Sequence, residues 1–431
     1  MPAVENKPSA LPWLEGAKAL ATTNAPAWLR ALRETGASAF AQSGMPDLSW
    51  EAWKYTNLRA LTKAPFIWSP EAAKFDAKKL PEKLMEGTAR AVLVNGQFQP
   101  HLSELPDGLT VMPLMTAIER NVDGIEQHLA KLGDLATTPM RALNIAHLRD
   151  GFFLIAGKNT SIQTPVEILF YNTASGNAQN AIYPHLVYWL CENAEINLIE
   201  RHCGDGAYFT SIDTEIVLEQ QARLKFYRFE KESDIALHFS FTSLQQHKDS
   251  SFEGFSYAQG ALLGRQDFLN NLLGEGISSN LGGIYTLRNH QTCDFTVLMD
   301  HFEPNGTSVQ RFKGVVDDQA RAVFQGKIHV RRSAQKTDGY QLNHALLLSP
   351  QAEASFKPEL EIYADDVKCT HGATSGQIDS KALFYLTSRG IPETEARALL
   401  VQSFLAETLA QVSFAPVAAL YEEMIAAWLL K

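Results

Sequence analysis

A chain of 431 residues is long enough for two or three units with a large buried core, and an apolar fraction of 45% with a charged fraction of 20% excludes a disordered or membrane-embedded class. Thirty-eight basic against forty-eight acidic residues leave a formal charge of −10, and with no long Lys/Arg run to follow a phosphate backbone, nucleic acid is not an expected partner. The N-terminus, Met1-Pro2-Ala3-Val4-Glu5-Asn6-Lys7, lacks a basic stretch followed by an apolar core, and no later run reaches bilayer length, so no membrane association and a cytoplasmic location are expected.

The first part, to about residue 145, reads as mainly helical. Its strongest helix runs from Pro26 to Ala41: Asn24 is the expected cap, Pro26 suits the first turn, Trp28, Leu29 and Leu32 form an apolar stripe, and Gly44 with Pro46 stops it. The aromatic run Trp50–Leu58 that follows is expected to pack locally into core. From about Gly151 to Tyr363 the pattern changes to short runs rich in Val, Ile, Phe, Tyr and Leu, separated by polar residues, Gly and Asn. Val166–Tyr171, Glu195–Glu200, Thr214–Leu218, Leu224–Phe229 and Lys327–Val330 are predicted strands. No long helical pattern interrupts them, which excludes a doubly wound sheet and leaves a sandwich, a large barrel, a propeller or a stacked β-solenoid. A helical tail closes the chain. Asp379 caps a helix through Leu386 that Gly390 ends, Pro392 opens a second through Ala396, Leu399, Leu400 and Phe404, and Val417–Leu430 is the third.

The familiar catalytic signatures are missing. Gly157-Lys158-Asn159-Thr160 imitates the end of a phosphate-binding loop, but Phe152 stands where its first glycine belongs and Asn159 follows the lysine, so it reads as a turn. The four cysteines, Cys191, Cys203, Cys293 and Cys369, contain no Cys-x-x-Cys pair, which argues against a disulfide framework and a structural zinc knot. Cys191, Cys203 and Cys293, like His290, His301 and His344, are expected to be structural. In the segment Tyr363–Asp379, by contrast, an extended backbone puts Cys369 and His371 on one side, where a thiol and an imidazole converge beside a glycine-rich run. Such donors suit iron–sulfur chemistry, although two cannot complete a site that takes four.

Glu361–Gly376 together with Leu383–Ile391 resembles the C-terminal signature of the SufB/SufD family of iron–sulfur cluster assembly proteins. Asp300-His301, Ala322–Ile328, Ala334–Gln341 and Trp53–Thr56 resemble further blocks of that family, and the absence of any cysteine before Cys191 favours its SufD-type over its SufB-type members. The resemblance implies a mainly β fold, a right-handed parallel β-helix flanked by helical domains, divided as 1–145, 146–368 and 369–431. It also implies a SufB partner, the ATPase SufC docked on the tail helices through residues such as Leu399, Leu400 and Phe404, and a transient iron–sulfur cluster at the SufB contact with His371 and Cys369 as donors. No stably bound cofactor and no catalysis by the isolated chain are expected, ATP hydrolysis falling to SufC, and the isolated chain could form a homodimer. Two rivals are a SufB-like chain that carries a cluster itself, and a β-helix polysaccharide enzyme using Asp294, Asp300, Asp317 and Asp318.

Overall fold

The computed structural model describes residues 11–21, 23, 25–62, 66–68, 75–129, 133–174 and 179–430. From Glu195 onward, successive strands alternate between two sheets, and every neighbouring pair within a sheet is parallel. One sheet takes Glu195–Asp205, Arg223–Lys231, Ser251–Ala258, Ser278–Leu287, Thr307–Val316, Asp338–Leu347 and Lys368–Gly376. The other takes Tyr208–Leu218, Leu237–Gln246, Leu263–Leu272, Thr292–His301, Arg321–Val330 and Glu353–Ile362. This is a parallel β-solenoid of about seven turns, and of the four architectures left open by the strand pattern it is the one realised.

The coil has no strict sequence period, because its rungs differ in length. In-register partners lie 26 residues apart at Leu237↔Leu263 and 32 apart at Arg321↔Glu353. What repeats is a backbone state. At one corner of successive rungs Asn193, Gln221, Asp249, Gly276, Asn305 and Lys336 all have φ between 55° and 71°, and each donates its N–H to a carbonyl of the next rung. The left-handed conformation is the shared requirement, and Asn, Asp or Gly meets it at least cost.

Inward-pointing alternate residues fill the space between the sheets, including Leu198, Phe226, Phe252, Phe295, Phe312 and Phe324. Ring centroids of Phe295, Phe312 and Phe324 follow each other at 5.0 Å steps, so the lumen is a packed core and not a channel.

The helices lie along the flanks of the coil. The first long helix spans Ala27–Ser43, close to the predicted bounds, and ends where Gly44 donates to the Phe40 carbonyl at 2.7 Å; the expected cap, Asn24, lies outside the described residues. That helix crosses Pro139–Ala146 at Gly36, where a Cβ would stand 2.8 Å from the Ala142 carbonyl oxygen. Phe40, Met140 and Leu143 then seal against Phe209, Phe239 and Leu263 on the outer face of one sheet. The aromatic run behaves as core: Trp53 is buried beneath the Arg265 guanidinium at 4.0 Å, and Thr56 donates to Asp294, which pins the segment to the coil.

The tail helices Ser380–Ser388 and Glu393–Leu409 begin at the predicted signals, with the Asp379 carboxylate accepting from the Lys381 N–H at 2.8 Å, and the third, Ala415–Leu429, starts two residues before the predicted Val417. The last two cover the outer face of the other sheet, where Tyr421 sits among Phe229, Phe255 and Tyr257 and donates to the Arg228 carbonyl at 3.1 Å. At both ends the sheets run further than the helix and strand patterns suggest. Within the first 145 residues, Ala89–Val94 pairs with Val166–Thr173, and Leu109–Pro113 pairs antiparallel with Gly151–Ala156. Beyond residue 368, Lys368–Gly376 is still a solenoid strand.

Candidate functional site

The coil is finished differently at its two ends, and the candidate donors lie at the unfinished one. In Lys368–Gly376, Cys369 pairs with Gly339 and His371 with Gln341, both of which point into the lumen. Cys369 and His371 therefore share the inward face, as their i, i+2 spacing predicts. No described strand lies beyond this one in its sheet, so the inward face ends on solvent and His371 is exposed.

The two side chains differ in setting. Cys369 is half-buried against a small apolar group that includes Ile328, Val330 and Ala364, and burial pushes its thiol pKa up, against a weaker opposing hydrogen bond from the Gly339 backbone. At neutral pH it is a protonated thiol, which binds a soft cation only after giving up its proton. His371 presents its imidazole with no such apolar surround.

Beneath His371 runs a polar column that single-residue motifs did not reveal. Gln310, Gln341 and His371 are successive in-register partners, and Asn343 lies two residues beyond Gln341. The amides of Gln310 and Gln341 are fully buried and make no hydrogen bond through either polar atom, and that of Asn343 is buried beside the Tyr285 hydroxyl. Gln341 reaches across the lumen to Gly326 on the opposite sheet, where a Cβ would lie 1.5 Å from its Nε2. Unsatisfied buried amides are costly, on the order of 1–3 kcal/mol each, and here they lie next to the apolar Phe312 and Phe324. The signal was available only as three polar residues at strand positions that alternate correctly for the interior.

The second candidate surface is on the tail. Of the predicted docking residues, Leu399 is exposed, whereas Leu400 and Phe404 are half-buried at the seam between the helix Glu393–Leu409 and the end of the last strand. The Lys313 ammonium lies 4.6 Å from the Phe404 ring and donates to its carbonyl. Phe384 and Tyr385 on the preceding helix are more open, at 72% and 57% exposure.

The remaining expected site residues separate cleanly. Burial drives the Cys293 thiol far up and that of Cys203 up to about 12, and His301, held at about 4 by burial, is bonded to Ser308 Oγ at 2.9 Å. The four aspartates imagined as a glycan-cleaving cluster do not converge. Asp294 is buried in an ion pair with Arg265, Asp300 accepts both arms of Arg331 at 2.9 and 3.0 Å, and Asp317 and Asp318 lie at a rung corner. Asp294 and Asp300, six residues apart on one strand, are roughly 20 Å from each other, beyond the reach of a carboxylate pair working on one bond.

A family model described as the SufBD core domain of SUF-system FeS cluster assembly matches residues 171–404, and one for the SufBD protein N-terminal region matches residues 12–168. The chain belongs to the SufBD family. It is 30% identical over 402 residues to an iron–sulfur cluster assembly SufBD family protein of Synechocystis, covering 89% of this chain and 87% of the relative. It is likewise 30% identical over 368 residues to the iron–sulfur cluster assembly protein SufD of Escherichia coli, with 85% of each chain covered, and 27% identical over 401 residues to SufD of Bacillus subtilis, covering 88% and 89%. Membership supports a role in iron–sulfur cluster assembly. The open last rung, its amide column and the exposed tail aromatics all fall inside the span matched by the core domain. Among the described residues, no helix is long and apolar enough to cross a membrane.

Proposed function

We propose that this chain is a SufD-type scaffold subunit that builds iron–sulfur clusters in the cytoplasm together with SufB and the ATPase SufC, without catalysis of its own. The observation that carries this reading is the unfinished last rung. Glu353–Ile362 and Lys368–Gly376 contain no buried residue, although every earlier strand of the coil from Glu195 onward has at least five. A parallel strand edge over an open polar lumen is a surface that another coil covers by continuing the stack.

In such a junction His371 supplies a neutral nitrogen donor to iron, and Cys369, one inward-facing position earlier, becomes a donor once a cation displaces its proton. SufB supplies the remaining positions, so the nascent cluster is cargo held between two chains and released, not a resident group. SufC docks on the tail through Phe384, Tyr385 and Leu399, with Leu400 and Phe404 forming the firm base beneath. The helix Glu393–Leu409 joins this docking face to the last strand, so movement of the ATPase has a short mechanical route to the cluster junction.

Coexpression with candidate SufB and SufC chains tests the proposal. All three are expected to co-purify, Phe384→Asp is expected to lose SufC while keeping SufB, and the isolated chain is expected to hydrolyse no ATP. Recovery of neither partner, or ATP hydrolysis that follows this chain through purification, would overturn it.

A further inference from the structure

Two buried clusters of histidines and carboxylates lie far from the open rung, one on the outer face of a sheet beneath the helix Pro139–Ala146 and one inside the coil, and they are neutralised differently. In the first, His185, Asp213 and Glu215 surround a cation that the chain itself provides: Arg141 Nε lies 2.8 Å from Asp213 and its Nη2 lies 3.7 Å from Glu215. In the second, His202, Glu232 and His238 bring one donor atom each to within 4.8 Å of one another, with Glu230 at 3.2 Å from His238 Nε2 and Glu232 at 3.0 Å from its Nδ1. The nearby guanidinium, Arg228, is turned away to Glu200 at 2.8 Å. Three buried carboxylates, Glu200, Glu230 and Glu232, thus face one fixed cation and the His238 ring that bridges two of them, in a region where uncompensated charge costs several kcal/mol.

Local geometry holds the donors in place. His202 is stacked on Phe170 at 4.3 Å, the His202 and His238 rings meet edge to face at 5.0 Å, and the Tyr208 hydroxyl donates to the second oxygen of Glu232. His202 Nδ1 is buried and lacks a hydrogen bond, while His238 Nε2 and Glu230 Oε1 face each other at 3.2 Å. The site is also reachable: Glu232 lines a cavity of about 400 Å³ at the rung corner, beside Asp234, Lys231 and Arg288 and under Trp428 of the tail.

We propose that His202, His238 and Glu232 form a binding site for one divalent first-row metal ion, Zn(II) or Fe(II), with Glu230 held at the other ring nitrogen of His238. Two imidazoles and a carboxylate are the donors these borderline ions prefer, and bonds of about 2 Å require the three donor atoms to close by only about 1 Å. A 2+ ion that takes the place of a proton on His238 offsets the carboxylate charge, as Arg141 does in part for the first cluster. The Tyr208 hydroxyl and the Phe170 ring orient the ligands from behind, in the manner of outer-shell groups at metal centres. This inference does not depend on the cluster-assembly reading.

The test uses full-length protein without affinity histidines and with Cys369→Ser and His371→Ala, so that the open-rung donors are absent. After chelation, the folded chain is titrated with Zn(II) by calorimetry and with Co(II) by absorbance. One equivalent is expected, with visible ligand-field bands and no thiolate charge transfer, and Glu232→Gln is expected to weaken binding at least tenfold. The proposal is overturned if no ion binds, which leaves a proton on His238 as the neutralising cation, if thiolate bands appear, or if folded Glu232→Gln binds as tightly. Should that variant not fold, anomalous scattering from the Co(II)-loaded parent decides: a peak between His202 and His238 supports the site, and a peak elsewhere refutes it.

Discussion

Ala89–Val94 and Lys368–Gly376 are the outermost parallel strands at opposite ends of the same sheet, and they could hardly be treated more differently. All six residues of the first are buried, with Phe98, Leu105 and Leu109 closing the lumen beside it; of the nine in the second, none is. The first end is finished by antiparallel pairing, Ala89–Val94 with Gln97–Phe98 and Leu109–Pro113 with Gly151–Ala156, which consumes the free edges. The second stops in mid-stack above unsatisfied amides. A protein that can seal one end of its coil and leaves the other raw has a use for the raw end.

Substitutions that unpair the closed body should be far more damaging than their counterparts at the open end. The largest effect is expected from Arg265→Met, which leaves Asp294 buried without its cation and releases the Trp53 segment; the loss should be about 3–5 kcal/mol, read as a steep fall in unfolding temperature or in yield. Acid should separate the regions next. His147 and His301 are both held near 4 by burial, below the ordinary 6.5, so the unfolded chain binds more protons and their stabilisation, present above pH 6.5, is lost as pH falls towards 4. Near His147 the Asp150 carboxyl, raised to about 6 by burial, has the opposite slope from about 4 to 6 and offsets the loss. Hydrogen exchange at pH 5 against pH 7 should therefore show the His301 rung weakening more than residues 139–156, by on the order of 1–3 kcal/mol, and His301→Gln should abolish the difference. Equal weakening of both would mean that burial of these imidazoles does not set the acid response. The smallest effect is expected from Lys327→Met at the open end: its partner Glu361 is exposed, and the unfolding temperature should not change measurably.

Strands, tail helices and the Cys369–His371 alternation were legible because each depends on local pattern: period-2 apolarity, Asp379 and Pro392 at helix starts, and i, i+2 placement on one face. The coil itself was not legible from periodicity. Its rungs vary in length, and its corner column needs a positive φ that Asn193, Gln221, Gly276 and Lys336 all supply with different side chains. The solenoid was reached through family resemblance instead. The amide column and the His202–His238 cluster were invisible for a related reason. Gln310 and Gln341, like His202 and Glu232, are adjacent only after about thirty residues of chain have been wound once around the lumen, so no spacing within a single strand announces these pairs. Leu400 and Phe404 show the limit of an apolar stripe, which marks the partly buried seam and the open face alike.

The most direct test of the open-rung account is His371→Ala in the proposed complex with SufB and SufC, with unfolding temperature, partner recovery and iron and sulfide content measured on one preparation. The exposed imidazole makes none of the contacts that stabilise the coil, so stability and partner recovery should stay at the level of the unsubstituted complex while cluster content falls severalfold or more. An intact, equally stable His371→Ala complex that assembles clusters at the original level would contradict the account.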